Sequence, residues 1–421
     1  MTNDSLALQP LTLAALSPLL LSYHVQAVLA ILPNTFIFKL LLLPYILWQV
    51  WKCIVEFDHA ALFAQLLGHH RTDRVAFCSF VHVVRYFAKL ISSRWMFAEV
   101  GRTQIALFCI GLRACEWTFV KRPLRRYEPP KRSQDTPIER RLSAFTVFVD
   151  TFDLLCSTRG IGWSWSSEPF PHKSTQPPTI AFVLVKTLLK LTVFDGSQHI
   201  IHSLFPSTNH PKGGSIFDPS LTFVPRTALA AFCGICGGMW AYALVDFVYH
   251  VSTLVGRTVF RQPGLVWPPA FQRPWTSTSI REFWSFRWHQ FARRVFIVFG
   301  ARPGGKLFGK PGALMGAFAL SAFLHHLGLW AVGNGTEFVT AGGFFLLMGV
   351  GVVMEVAFVR TTGLKVQGWL GWAWTMVWTI VCGTFMIDGW ARYGVLATEL
   401  LPNGFRPGKA VVDAIIALSS R

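Results

Sequence analysis

Charge is what this sequence has least of: only 14% of its 421 residues are Asp, Glu, Lys or Arg, against roughly 25% in an ordinary soluble domain. A water-facing surface cannot be built from so few. Acids are the scarcer kind, 21 against 39 Lys and Arg. No Lys or Arg precedes Lys39, so the N-terminus lacks the basic n-region of a cleavable signal peptide, and the first membrane helix itself is expected to drive insertion. The chain contains no P-loop, no GxSxG elbow and no HExxH, which removes the commonest motif-borne phosphate, serine-hydrolase and zinc chemistries. Internal repeats and inverted pairs of broken helices are also missing, and that counts against a repeat-built transporter. The eight cysteines fall mostly within apolar runs, where a free thiol behaves as a small hydrophobe, so no disulfide framework is implied.

What fills the space is hydrophobic: 52% of residues, with 37 Phe and 17 Trp, and a mean hydropathy of +0.42. Crossing about 30 Å of hydrocarbon takes about 20 apolar residues. Candidate spans are Leu11 to Leu32, Thr35 to Val55, Arg102 to Val120, Thr179 to Phe194, Arg226 to Val255, Gly312 to Val332, Glu337 to Val359 and Trp369 to Ile387. The run from Val75 to Leu90 is shorter and carries His82, Arg85 and Lys89, as an interfacial helix would. The expectation is an all-α polytopic membrane protein, one domain over residues 1–421, with about seven to nine transmembrane helices.

The excess of positive charge sits between the apolar runs. Lys121 to Arg141 holds eight Lys or Arg against three acids, and Arg257 to Lys310 holds ten against Glu282 alone. That is the positive-inside pattern of cytosolic loops rather than a nucleic-acid stripe, and membrane lipids replace nucleic acid as the expected partner.

Two segments could carry chemistry. His325 lies thirteen residues into the Gly312 to Val332 run, about 20 Å deep at helical rise. Ionisable residues at that depth are costly and often functional. Ala313, Ala317, Ser321 and His325 share one helical row, with Ala322 and Gly328 beside the imidazole, so that face can admit a close partner or a channel. The alternative is a histidine hydrogen-bonded across helices for packing. His326 points about 100° away.

The other segment is Pro274 to Arg294. Ser279 and Glu282 have capping-box spacing, so a helix should begin at Ser279. Continued to Val295, that helix would place Trp284, Trp288, Phe291 and Val295 on an apolar stripe, with Arg287 and Arg294 together on another face. An interfacial anchor reads the same way. His289 belongs to neither stripe.

Other signals are weaker. Asp246 and His250 are spaced to pair on one helix. Cys233-Gly-Ile-Cys236 has no second ligand pair, so no metal site is expected. Glu355 is a buried acid without an identifiable partner.

Arg281-Glu-Phe-Trp-Ser-Phe-Arg-Trp-His289 followed by Ser321-Ala-Phe-Leu-His325 resembles the wax synthase-like branch of the membrane-bound O-acyltransferases, of the fungal terpenoid and meroterpenoid O-acetyltransferase type. Arg159-Gly-Ile-Gly-Trp163 is similar to that group as well. The likeness implies a core over roughly residues 159–390, with more divergent N-terminal helices at 11–120. It also departs: plant members carry Asn at the position of His289, and usually Gly and Glu at Ala322 and His326. Implied by the resemblance are acetyl-CoA, or another acyl-CoA, as co-substrate with no bound cofactor, a lipophilic alcohol as acceptor, and a reaction tunnel within the membrane. His325 would be the general base, and His289 would hydrogen-bond the thioester oxygen or orient CoA. Trp284, Arg287, Trp288, Arg293, Arg294 and Ser321 would bind substrate or CoA. A long-chain wax ester synthase is the alternative within the class, and a transporter or membrane scaffold the one outside it. The endoplasmic reticulum is the expected membrane.

Overall fold

Hydrocarbon offers no water to unpaired backbone groups, so a spanning chain must close its hydrogen bonds inside helices. The computed structural model describes residues 9–58, 96–128, 138–166, 177–210, 212–330, 337–397, 401 and 404–420, and helices make up nearly all their regular structure. The Val75 to Leu90 run lies outside the described residues. The long elements are α1 (Leu13–Ile31), α2 (Phe36–Val55), α3 (Met96–Phe119), α4 (Ala144–Cys156), α5 (Ile180–Leu204), α6 (Phe223–Thr258), α7 (Arg302–Trp330), α8 (Phe338–Thr362), α9 (Gly368–Arg392) and α10 (Pro407–Ser419). Strands among the described residues are two short ladders, Gln9–Pro10 with Phe57–Asp58 and Tyr127–Glu128 with Ile138–Glu139.

Among the described residues, six stretches are long and apolar enough to cross a membrane: α1, α2, α6, Arg293–Trp330, α8 and α9. The chain is an integral membrane protein. The expected spans near Arg102 to Val120 and Thr179 to Phe194 are also helical, as α3 and α5, but fall outside that set. Their sequences explain why: α3 contains Glu99, Arg102, Arg113 and Glu116, and α5 contains Lys186, Lys190 and Asp195. Large apolar side chains face outward along the helices, for example Leu41 on α2, Val185 on α5 and Val377 on α9, as a lipid-facing wall requires.

Lipid is as apolar as a helix face, so packing and interhelical hydrogen bonds hold the bundle together. In the N-terminal half, Tyr23 of α1 stacks on Trp117 of α3 at 4.9 Å, and Gln26 Nε2 donates to Thr118 Oγ1 at 2.6 Å. Polar ties then join this half to the C-terminal one. Arg294 pairs with Glu116 and donates to the Trp165 carbonyl at 2.6 Å. Gln262 donates to Asp153 at 2.9 Å, and Arg159 donates to the carbonyls of Pro268 and Pro269. Local geometry fits the Arg159-Gly-Ile-Gly-Trp163 run to this task. Gly160 has φ +66, and a Cβ there would overlap the Trp165 indole.

The α7 stretch is a hairpin rather than a rod. Phe308 and Gly309 leave helical geometry, and the chain folds back on itself. A Cβ at Gly304 would overlap the Gly312 carbonyl, and one at Gly300 would overlap the Gly316 carbonyl, so the two limbs touch backbone to backbone. Only glycine permits that approach. The expected Gly312 to Val332 span is therefore the second limb. Arg257 to Lys310, read from its charge as a loop, includes the whole first limb.

Candidate active site

The hairpin's glycine contacts set a register. Gly304 opposes Gly312 and Gly300 opposes Gly316, so the limb that carries His325 runs back toward the chain preceding Arg293. Two histidines far apart in sequence are thereby neighbours, near enough for the His325 imidazole to act on that of His289. His325 is held from two sides. Its Nδ1 lies 2.8 Å from the Ser321 carbonyl, and since a carbonyl only accepts, the hydrogen sits on Nδ1 and Nε2 keeps its lone pair. Phe345 of α8 stacks on the ring at 4.0 Å. His326 turns away to meet Phe338 edge-on.

His289 arrives by a different route. The expected helix does begin where the sequence indicates, with Ser279 Oγ accepting from the Glu282 amide at 3.0 Å. Glu282 reaches the Thr278 amide and hydroxyl, at 2.8 and 3.1 Å, and pairs with Arg287 at 2.7 Å. Burial raises the Glu282 pKa, but the Thr278 bonds and Arg287 outweigh it and the net shift is downward.

That helix does not run on to Val295. Ile280–Glu282 passes into a π-helical turn over Phe283–Arg287, and at Trp288 the backbone becomes extended. Gln290 Nε2 donates to the carbonyls of Trp284 and Trp288, at 3.2 and 2.6 Å, while the Gln272 amide donates to the Arg287 carbonyl at 2.9 Å. Carbonyls that would have continued the helix are already satisfied. Helix resumes at Arg293.

The break splits the expected apolar stripe. Trp284 packs among Phe318, Phe344 and Phe345, while Trp288 packs on Phe271 and Phe291 on Tyr249. His289 then faces inward, stacked on Phe291 at 5.2 Å and edge-on to Phe271 at 5.7 Å. Its Nδ1 is buried and makes no hydrogen bond among the described residues, which leaves Nε2 as the nitrogen able to serve a ligand. Burial, and then the nearby His325 imidazole, push the His289 pKa down to about 3, so the ring is neutral at physiological pH. Both imidazoles keep some accessible surface.

The remaining candidates separate by what already engages them. Ser321 is buried and presents its carbonyl to His325. The Trp284 Nε1 is buried with no partner among the described residues. Arg287 is held by Glu282, the Gln272 carbonyl and Thr276, and Arg294 by Glu116 and the Trp165 carbonyl. Arg293 is exposed, with no acidic partner among the described residues.

Elsewhere, Asp246 meets His250 at 3.5 Å but lies closer to Lys190, at 3.0 Å. Glu355 does have partners: it accepts from the amides of Ile280 and Arg281 and from Trp374 Nε1. An acid in an apolar run was the only sequence signal of its importance. Phe345 and Gln290 gave none.

The profile of the membrane bound O-acyl transferase family matches residues 267–347, a stretch that holds His289, the hairpin, His325 and Phe345. Over that stretch the chain is similar to members of this family. It is 26% identical over 277 residues to the O-Mevalon transferase macI of Penicillium terrestre, covering 59% of this chain and 63% of that protein. It is 27% identical over 300 residues to the Acetyltransferase ple2 of Rhodocybe pseudopiperita, covering 65% and 74%. A third relative, the Acetyltransferase fsoF of Humicola fuscoatra, is 24% identical over 345 residues, covering 73% and 79%.

Proposed function

We propose that the chain is an O-acetyltransferase that moves an acetyl group from acetyl-CoA to a hydroxyl of a lipophilic secondary metabolite, a terpenoid or meroterpenoid. Acyl transfer is supported by the family match over residues 267–347, and the acetyl group by relatives named as acetyltransferases. The observation that carries the reading is the hairpin that folds His325, with its Nε2 lone pair free, back beside His289 inside the family-matched stretch.

The steps use only these groups and the two substrates. His325 Nε2 takes the alcohol proton as the oxygen attacks the thioester carbonyl carbon, a role suited to a neutral imidazole. Negative charge gathers on the carbonyl oxygen, and His289 Nε2–H donates to it. Such a donor in a dry site contributes about 3–4 kcal/mol of transition-state stabilisation. The tetrahedral intermediate collapses, the C–S bond breaks, and the thiolate takes the proton back from His325 as CoA leaves.

CoA is anionic, so its phosphates need cations that are not already neutralised. Arg293 fits that need on the exposed face beside the site. Arg287 and Arg294 instead hold the His289 segment in place through their carboxylates. A lipophilic alcohol would enter from the bilayer, with the endoplasmic reticulum the expected membrane.

The test supplies microsomes containing the full chain with labelled acetyl-CoA and a hydroxylated terpenoid. The expected result is labelled ester from the native chain and about 1,000-fold less from His325→Ala. Equal acetylation by the variant would remove the base from the mechanism. Preference for a long-chain acyl-CoA would turn the reading toward a wax ester synthase.

A further inference from the structure

We propose that Glu355 is a positioning residue for acyl transfer, setting the His289 segment against His325 through α8; this rests on the acyltransferase reading above. One helix touches both halves of the site. Phe345 of α8 stacks on the His325 ring at 4.0 Å. Ten residues further along, about 15 Å at helical rise, Glu355 meets the start of the segment that ends in His289. Its Oε1 accepts from the Ile280 amide at 2.6 Å and from Trp374 Nε1 at 3.1 Å, and its Oε2 accepts from the Arg281 amide at 3.0 Å.

Those amides belong to the first turn of a helix, where N–H groups have no intrahelical acceptor. Local capping covers only part of the need. Ser279 Oγ takes the Glu282 amide, and the Glu282 carboxylate is occupied by Thr278 and Arg287. The amides of Ile280 and Arg281 are left to an acid more than seventy residues away, on a different helix.

Packing alone would have been served by leucine at 355. An acid within a membrane helix is costly unless its oxygens are met by donors, and here three donors converge on it. The buried Ile280 packs in the same cluster as Phe345, Met348 and Val352 of α8, so apolar contacts reinforce the polar clamp. Glu355 lies outside the family-matched residues 267–347. Sliding α8, or releasing the clamp, would therefore change the spacing of the two imidazoles while leaving each in its own local setting.

The experiment compares Glu355→Leu, Glu355→Gln and Trp374→Phe in full-length chain, with kcat and KM for acetyl-CoA normalised to the amount of protein in the membrane. Loss of all three acceptor contacts should lower kcat about 100-fold in Glu355→Leu, and the single amide oxygen of Glu355→Gln should restore it to about tenfold below native, since hydrogen bonds to a charged acceptor exceed those to a neutral one. Trp374→Phe, which removes one contact, should cost about twofold. KM should stay within about twofold throughout, because substrate contacts are untouched. If Glu355→Leu does not accumulate, the other two variants decide.

A kcat within twofold of native in Glu355→Gln, or a loss appearing in KM alone, would overturn the proposal. So would a fall in activity that merely tracks protein abundance. His325→Ala separates the two ideas. An inactive His325→Ala beside a fully active Glu355 series sinks the positioning role alone, whereas an active His325→Ala sinks the acyltransfer mechanism itself.

Discussion

Two stretches each deliver one histidine, and they do it by opposite means. Residues 310–330 form a regular helical limb in which His325 is oriented by a carbonyl one turn away, at Ser321. Residues 278–292 pass from a short α-helical turn through a π-helical one into extended backbone, a course fixed by Gln290 within the segment and by partners from elsewhere: Glu355, Gln272 and the aromatic clusters on both sides. His325 is thus set mainly by its own helix, with Phe345 stacked on the ring, whereas the His289 segment depends on contacts from several elements. Substitutions remote in sequence should disturb the second and spare the first.

The largest effect is expected at His325. His325→Ala should lower kcat about 1,000-fold or more, the usual scale for losing a general base, as read by transfer of labelled acetyl groups. His289→Ala should lower kcat about 100-fold through the lost oxyanion donor. His289→Asn keeps an N–H donor and should recover to within about tenfold of native. Were His289→Asn to fall below about 1% of native, simple donation would not suffice and an essential catalytic role would replace it.

Gln290→Ala frees two carbonyls that hold the turn and should lower kcat about tenfold. Its counterpart on the other limb, Ser321→Ala, should stay within about twofold, because the group holding His325 is backbone. If Ser321→Ala were the more damaging, the His325 limb rather than the turn at Trp288 would be the one that depends on its side-chain contacts. Next comes Arg293→Ala, expected to raise KM for acetyl-CoA up to about fivefold, the worth of one exposed charge. Arg287→Ala should instead lower kcat, by releasing Glu282.

The smallest effect is on stability. His289 is neutral in the folded protein, with its pKa lowered to about 3, whereas the unfolded chain takes up a proton near pH 6.5. Stability should therefore be full above pH 6.5 and fall as pH drops below it, by up to about 1.4 kcal/mol per unit. Thermal unfolding in detergent should show a shallower fall for His289→Asn than for the native chain.

Which parts of this were legible in the sequence follows the same division. Each of the eight apolar runs is a helix in the structure, because hydropathy and period are local properties. His325 could be singled out from its depth and its row of small neighbours. The turn at Trp288 could not, since the helix-compatible run from Ser279 to Val295 is broken by Gln290, Gln272 and aromatic packing rather than by Gly or Pro. Nor could the hairpin: Phe308-Gly309 is a modest breaker, and the glycines that join the limbs look like ordinary small residues of an apolar run. Glu355 was visible as an anomaly, but its partners lie on segments that only the fold brings near.

The central claim is that His289 and His325 act together on one reacting centre, and a double-mutant cycle of labelled acetyl transfer tests it most directly. Comparing His289→Ala, His325→Ala and the double variant, strong non-additivity is predicted: with the base gone, losing the second imidazole should change the residual rate by no more than about threefold. Losses that multiply independently in the double variant would place the two histidines at separate tasks and contradict the shared site.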